Sequence, residues 1–139
     1  MEEHHIVRIA GAAFVIFCSL GVAVRAEVFN SEYYRLEVTT VVNGLRSPWG
    51  LAFLPDGRMI VTERAGGIRI VTPAGKMSPR LSGMPEVYAR NQGGMLDVAV
   101  DPEFSGNNFI YFSFAEPGVR GAGTAVARAR LVVAGNRLD

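Results

Sequence analysis

The sequence predicts an all-β fold of the β-propeller type, of which the chain covers about the first two blades. The main observation is an internal repeat: GLAFLPDG corresponds to DVAVDPEF, and RMIVTER corresponds to NNFIYFSF. The equivalent prolines, Pro55 and Pro102, lie 47 residues apart. Periods of about 40–50 residues built from short strands, with no helical periodicity between them, are typical of four-stranded propeller blades. A functional site is therefore expected at the mouth of a central channel.

The length of the chain predicts an incomplete propeller. Propellers carry about 4–8 blades, whereas 139 residues leave room for roughly two after a leader. Because a blade buries its broad faces against neighbouring blades, we expect the terminal blade to expose apolar sheet.

Residues 1–26 have the pattern of a secretory leader. A polar start, MEEHHIVR, precedes an apolar run over 9–24, and Val24-Arg25-Ala26 offers a small-residue cleavage site. We expect cleavage after Ala26, which leaves 27–139 as the N-terminal part of the propeller and places the protein in the periplasm or outside the cell. The apolar run is shorter than the ~20 residues that span a bilayer comfortably, so an uncleaved anchor is the alternative.

The charge balance argues against nucleic acid as a partner. The chain has 14 Lys and Arg against 13 Asp and Glu, a formal net charge of +1, and no charge footprint for nucleic acid. Arg128 and Arg130 share one face of a predicted strand. We interpret them as an outward polar face that alternates with packing by Val126 and Leu131, and not as a polyanion site. The single cysteine, Cys18, lies in the leader, so the mature domain is expected to fold without a disulfide.

Strands and turns follow one another in the first half of the mature chain, with no helix predicted. β-branched residues predict a strand over 36–42, a candidate for completing the last blade of the ring. GLAFL (50–54) and RMIVTER (58–64) form a hairpin around a Pro-Asp-Gly turn, in which proline presets φ and glycine accepts a positive φ. A second tight turn, Ala-Gly-Gly, leads to the strand IRIVT (68–72).

The second half repeats this meander after a long connection. Residues 73–94 contain three prolines and four glycines, which predicts at most a short outer strand and a long loop between blades. MLDVAV (95–100), NNFIYFSF (107–114) and TAVARARLVV (124–133) are the next strands. Their near-continuous apolar runs predict sheets that are covered on both faces.

Three motifs together carry a family resemblance. PWGLAFLPDG, TERAG and the loop NQGG before LDVAVDPEF occur in the order and at the separations found in the soluble quinoprotein sugar dehydrogenases. Over roughly 41–131, the chain resembles the N-terminal region of this glucose/sorbosone dehydrogenase family, and especially its aldose sugar dehydrogenase branch. The resemblance implies an exported six-bladed propeller that oxidises the C1 hydroxyl of aldoses. The hydride would pass to pyrroloquinoline quinone (PQQ), with help from calcium, and then to an external electron acceptor, without stable membrane insertion.

The resemblance also implies which parts of the active site this chain lacks. The family's general base is a histidine, a side chain suited to proton abstraction near neutral pH. The only histidines here, His4 and His5, lie in the leader. The family's base and its PQQ and calcium ligands fall beyond residue 139, so we assign no catalytic, cofactor-binding or metal-binding residue. The chain as given is expected to be inactive.

Gln92 is the one site residue that the resemblance assigns, as a ligand of the sugar. Its amide can donate to and accept from vicinal hydroxyls, and Gly93-Gly94 would let the backbone approach the pocket closely. Asn91 stands where the family more usually has glycine, and asparagine tolerates left-handed conformations better than most residues. Without the resemblance, a glutamine that bonds its own turn is the favoured interpretation.

Other polar and aromatic residues are interpreted as structural. Asp97 and Asp101 are separated by about 13 Å of strand, which is too far for a glycosidase-type carboxylate pair, and are expected at turns and edges. The DPEFSGNN segment lacks the ligand order of a calcium-binding hand. Trp49 is expected as a buried anchor under the blade rim. Glu63 and Arg64 are expected to brace the neighbouring turn through salt bridges of little energetic value.

Two classes of function remain open at this point. The first is a PQQ-dependent sugar dehydrogenase, present here as a truncated chain. The second is a noncatalytic propeller that binds a glycan or a protein partner, since one scaffold hosts many roles. The absent downstream histidine does not separate them, because the chain ends before the position is reached.

Overall fold

A computed structural model describes residues 27–139, and the predicted leader and cleavage site lie outside the described residues. The regular secondary structure of the described part is almost entirely antiparallel strands, which form a two-stranded, a three-stranded and a four-stranded sheet. The strands are β1 (Glu27–Asn30), β2 (Arg35–Val38), β3 (Pro48–Phe53), β4 (Met59–Glu63), β5 (Gly67–Val71), β6 (Met95–Val100), β7 (Phe109–Gly118), β8 (Gly121–Val132) and β9 (Arg137–Leu138). Between residues 27 and 139, no helix has the length and apolar character needed to cross a bilayer.

The first large sheet has the order β3-β4-β5, as the sequence predicts. Its first hairpin closes at Gly57, whose φ of 82° requires a residue without a Cβ. The following segment adds an irregular outer edge, because the amides of Ser78 and Leu81 donate to the carbonyls of Ile70 (2.8 Å) and Ile68 (2.9 Å). The prediction of at most a short outer strand within 73–94 is thus confirmed.

The second large sheet has the order β6-β7-β8-β9 and repeats the meander. β7 and β8 form a long hairpin, with register partners from Phe109 opposite Arg130 to Gly118 opposite Gly121. The short β9 then pairs with the end of β8 as the fourth strand. Two consecutive antiparallel sheets, as predicted for neighbouring blades, are therefore present.

The core lies between these two sheets. Ile60 and Ile68 of the first sheet, with Met95 and Ile110 of the second, have no exposed surface. Burial of each such side chain contributes about 1.5–3 kcal/mol relative to an exposed one. The sheets are stabilised by one continuous apolar layer, which is how neighbouring blades pack.

The inner strands β3 and β6 approach each other closely in this arrangement. The Thr62 hydroxyl donates to the carbonyl of Leu96 (2.6 Å) and accepts from the amide of Gly50 (2.8 Å). A Cβ at Gly50 would lie 2.7 Å from Oδ1 of Asp97, so only glycine permits the contact. The first strands of the two sheets therefore lie side by side.

Two local predictions are wrong. The strand expected over 36–42 is limited to β2, which pairs with β1 in a separate exposed hairpin. A short helix, α1 (Phe104–Asn107), occupies a segment for which only turns and strands were expected. The Asp101 carboxylate holds this turn by accepting from the amide of Glu103 (2.8 Å) and from Nδ2 of Asn107 (2.9 Å).

The outward face of β3 is not covered in the described structure. Trp49, Leu51 and Phe53 are 54%, 51% and 67% exposed. The prediction of a buried Trp49 is therefore wrong, because the side chain projects from the face opposite the shared core. The first large sheet therefore exposes apolar side chains of β3.

Candidate functional site

The Gln-Gly-Gly loop connects the first sheet to the inner strand β6. The amide of Gly93 donates to the carbonyl of Arg90 (2.8 Å) and closes a tight turn. Asn91 has a φ of 51°, the left-handed conformation that asparagine tolerates. The amide of Tyr88 and the carbonyl of Gly94 both bond to Ala115 of β7 (2.8 Å each). The loop is thus seated on the second sheet at both ends.

The two glycines allow the loop to pack against the protein's own backbone. A Cβ at Gly93 would lie 2.7 Å from the carbonyl oxygen of Tyr88, and a Cβ at Gly94 would overlap the carbonyl oxygen of Arg64. Gly94 also has a φ of 149°, which disfavours any other residue. The close approach expected at these glycines therefore has a structural partner within the chain.

Gln92 lies at the exposed tip of this turn. Its side chain borders a cavity of about 320 Å³, which is lined by Tyr88, Arg90, Gln92, Gly93, Leu96, Ala115, Ala122, Gly123 and Thr124. The side-chain hydrogen bonds that this loop receives within residues 27–139 come from Arg64 and end on the carbonyls of Asn91 and Gly93. Among residues 27–139, no hydrogen bond between the Gln92 amide and its own turn is found.

Tyr88 and Arg90 are cavity residues that the sequence analysis did not identify. The Arg90 guanidinium lies 5.7 Å from the centre of the Tyr88 ring, within the range of a cation–π contact. The pair joins an aromatic face and a positive charge beside the Gln92 amide. The signal in the sequence is the spacing Tyr-x-Arg-x-Gln before two glycines, which gains meaning only once the loop is known to turn here.

Glu63 lies at the end of β4 and is completely buried. Its carboxylate contacts Nε of Arg80 at 2.8 Å and Nε of Arg69 at 3.1 Å, and it accepts the backbone amide of Arg46 at 2.8 Å. Burial by itself would raise the pKa of Glu63. Hydrogen bonds from the Arg46 amide and the Arg80 guanidinium, together with the positive charge of Arg69, outweigh that effect and hold the pKa below its usual value.

This cluster corrects the expectation for Glu63. The residue does brace its surroundings, but it is a buried ion-pair centre and not a surface salt bridge of little value. A carboxylate with no exposed surface cannot reach a substrate in the cavity. Glu63 is therefore a stabilising residue and not a candidate base.

Asp97 and Asp101 are both engaged in local contacts. Asp97, on the edge strand β6, accepts the amide of Val98 (2.9 Å). Asp101 accepts from Asn107, from the Glu103 amide and from the Tyr111 hydroxyl, which together lower its pKa. Each residue is engaged in its own strand or turn, as predicted. The described residues contain no cluster of three or more His, Cys, Asp or Glu side chains placed to hold a metal ion.

Arg128 and Arg130 share one outward face, as predicted, and both lie over the ring of Phe109, at 4.6 Å and 5.3 Å from its centre. Val126 is 73% exposed on that same face. The expectation that Val126 alternates with the arginines is wrong, because all three positions have the same parity along β8. Both guanidinium groups are therefore engaged with Phe109 in the second sheet, away from Gln92.

Comparison with known proteins identifies the family. A family model described as glucose/sorbosone dehydrogenase matches residues 45–139. The chain is 43% identical over 98 residues to the aldose sugar dehydrogenase of Escherichia coli, a match that covers 69% of this chain and 26% of the relative.

Solved structures give the same result. A glucose dehydrogenase matches with a TM-score of 0.66 at 46% identity, over 69% of this chain and 30% of the other. The PQQ-bound aldose sugar dehydrogenase of Streptomyces coelicolor matches with a TM-score of 0.65 at 27% identity, over 82% and 31%. The chain thus spans about a quarter of the length of the curated relatives it matches. Its sheets share the propeller-type architecture of these proteins, and the chain belongs to the glucose/sorbosone dehydrogenase family.

Proposed function

We propose that residues 27–139 form part of the sugar-binding side of a PQQ-dependent enzyme that oxidises the C1 hydroxyl of aldoses. The observation that carries the proposal is the Gln92 amide, which is held at the border of a cavity without a partner in its own turn. The family membership supplies the class of reaction.

The chemistry around Gln92 suits a polyhydroxylated ligand. The amide can donate to one sugar hydroxyl and accept from its neighbour. Tyr88 adds an aromatic face and a hydroxyl, and Thr124 adds a second hydroxyl to the lining. Leu96 and Ala115 supply apolar surface for the C–H groups of a pyranose ring. In this proposal the residues orient the sugar, and none of them takes its proton.

The described residues do not by themselves fit PQQ or calcium. PQQ is a tricarboxylate quinone, and Arg90 is the one cationic side chain among the residues that line the cavity. Residues 27–139 also offer no carboxylate cluster for calcium. In such an enzyme, the chemistry that PQQ would supply is that of a hydride acceptor. In the proposal, PQQ, calcium and the histidine base belong to other parts of the enzyme, so this chain alone is inactive.

The proposal also includes export and an external electron acceptor. Residues 1–26 would act as a cleaved leader and deliver the protein to the periplasm or the medium. N-terminal sequencing of the exported protein tests this part, since an N-terminus at Glu27 is expected. A retained N-terminus in a membrane fraction would support the anchor alternative.

The central experiment uses a hybrid enzyme, in which residues 45–139 of this chain replace the matching residues of the E. coli aldose sugar dehydrogenase. The unsubstituted hybrid, supplied with PQQ and calcium, is expected to oxidise aldoses. Gln92→Ala is expected to raise KM for the aldose about tenfold, as expected for the loss of about 1.4 kcal/mol of binding free energy. Lys76→Ala is the matched control, because Lys76 is exposed in a turn of the first sheet away from the cavity.

Two results would overturn the proposal. One is a folded hybrid that does not oxidise aldoses. The other is an unchanged KM in Gln92→Ala, which would favour a noncatalytic or unrelated role for the loop. Equal effects of Gln92→Ala and Lys76→Ala would also count against it, since they would show a general disturbance of the fold.

A further inference from the structure

We propose that Arg64 is a positioning residue that sets the orientation of Gln92. The inference rests on the proposed function, because it assigns Arg64 a role in sugar binding through Gln92. Arg64 follows β4 directly and is separated from the Gln-Gly-Gly loop by 27 residues of sequence. Its side chain spans the gap between the two sheets and bonds the loop.

The contacts of Arg64 lie on both sides of Gln92. Nη1 of Arg64 donates to the carbonyl of Asn91 at 2.8 Å and to the carbonyl of Gly93 at 3.2 Å. Hydrogen bonds to a charged donor are stronger than neutral ones. Since the two acceptors are the residues immediately before and after Gln92, the guanidinium fixes the backbone from which the amide projects.

Arg64 is itself held in place by backbone contacts. Its amide donates to the carbonyl of Ser47 (3.0 Å), and its carbonyl accepts the amide of Met95 (2.8 Å). Gly94 packs directly on that carbonyl, which leaves no room for a side chain between them. The guanidinium therefore extends from a fixed base to a loop whose own conformation includes a left-handed residue, Asn91.

The neighbouring carboxylate does not compete for Arg64. Glu63 is saturated by Arg69 and Arg80, so the Arg64 guanidinium is directed to carbonyl oxygens. Both acceptors are backbone carbonyls of the turn, so the two bonds restrain the conformation of the turn. Preorganisation of a binding group reduces the entropy lost when the ligand binds. We therefore expect Arg64 to act on KM for the sugar and not on the chemical step.

A double-mutant cycle in the hybrid enzyme tests the inference. Arg64→Met keeps most of the length of the side chain and removes the donors. It is expected to raise KM for the aldose about tenfold with kcat nearly unchanged. In the Gln92→Ala background the same substitution is expected to have little further effect, because Arg64 acts through Gln92. Arg58→Met is the control, since Arg58 bonds Asp56 in the hairpin turn and makes no contact with the loop.

The outcomes separate this inference from the proposed function. If Gln92→Ala raises KM but Arg64→Met does not, the positioning role is wrong and the sugar-binding role stands. If Arg64→Met raises KM equally with and without Gln92, Arg64 acts elsewhere and the inference is wrong. If Gln92→Ala leaves KM unchanged, the proposed function fails first. Should Arg64→Met prevent folding, Arg64→Lys is used, for which a KM increase of about threefold is expected and an unchanged KM overturns the inference.

A second measurement needs neither sugar nor cofactor. In the 139-residue chain, Arg64→Met is expected to speed amide hydrogen exchange at Gly93 about tenfold, because the turn loses its two bonds from the guanidinium. The amide of Ile60 in the core is expected to exchange at its original rate. Unchanged exchange at Gly93 would show that Arg64 does not order the loop.

Discussion

Glu63 and Arg64 are adjacent in the sequence, but their side chains lie in opposite surroundings. The Glu63 carboxylate is sealed from solvent and shared by two arginines and one backbone amide. The Arg64 guanidinium reaches an exposed turn and bonds two carbonyls. One strand end therefore supplies both a buried charge cluster and a support for the candidate sugar-binding loop.

In this comparison, Glu63 is expected to contribute mainly to stability and Arg64 mainly to the proposed binding site. The Glu63 cluster joins β4, β5 and the outer edge of the first sheet, so its loss should lower the free energy of unfolding. The Arg64 contacts join the end of β4 to the Gln92 loop, so their loss should disturb binding while the fold survives. The predictions below break or sharpen this difference, beginning with the largest effect.

Glu63→Gln should give the largest loss of stability. The substitution removes the carboxylate charge and leaves the charges of Arg69 and Arg80 without their partner. Removing one partner of a buried ion pair costs about 3–5 kcal/mol of stability. We expect a value near the lower end, about 3 kcal/mol, since partly exposed Arg80 can still be solvated. Urea unfolding of the chain measures the change.

Asp139→Asn provides the control for this prediction. It removes the carboxylate of another arginine pair, Arg137–Asp139, whose side chains are 53% and 49% exposed. No measurable loss of stability is expected, because exposed pairs are screened by water. Equal effects of the two substitutions would show that the burial of Glu63 has no energetic consequence.

Gly94→Ala should have the next largest effect, and it should affect both stability and the loop. Its φ of 149° disfavours any side chain, and a Cβ would overlap the Arg64 carbonyl. We expect a loss of about 1–3 kcal/mol in the free energy of unfolding, together with faster hydrogen exchange at Gly93. Gly106→Ala is the matched control, because a Cβ there meets nothing within 4 Å, and it should be neutral or slightly stabilising. A neutral Gly94→Ala would mean that the loop can move away from Arg64 at no cost.

The strands were predictable because their signals are local. The Pro-Asp-Gly turn and the apolar runs on either side of it predict β3 and β4 without reference to the rest of the chain. The prediction of a strand over 36–42 was wrong beyond residue 38 because pairing is not a local signal. β-branched residues favour a strand, but a strand also needs a partner, and only Arg35–Val38 has one, in β1.

The features that escaped prediction depend on contacts distant in sequence. The burial of Glu63 requires Arg46 and Arg80, each 17 residues away. The exposure of Trp49 depends on which face of its sheet is covered, which hydrophobicity alone does not determine. Gln92 was proposed from a family resemblance, whereas the bonds from Arg64 to its two neighbours become visible only in the structure.

The smallest predicted effect is the acid dependence of the Glu63 contribution, which compares wild type with Glu63→Gln. Because the pKa of Glu63 is lower in the folded state, its contribution is complete above the unfolded value of about 4.3. The contribution is then lost as the pH falls through the folded value. The stability difference between the two proteins should be constant near neutral pH and shrink in acid.

The comparison of two proteins is necessary because other carboxylates titrate in the same range. The pKa values of Asp56, Asp101 and Asp139 are also lowered by their hydrogen bonds, so both proteins should lose stability in acid. Subtracting the two urea-unfolding series at each pH isolates Glu63. A difference that grows as the pH falls would require a raised pKa of Glu63, which would mean that desolvation outweighs the two hydrogen bonds and the Arg69 ion pair. In that case the ionised Glu63 would destabilise the folded state and not stabilise it.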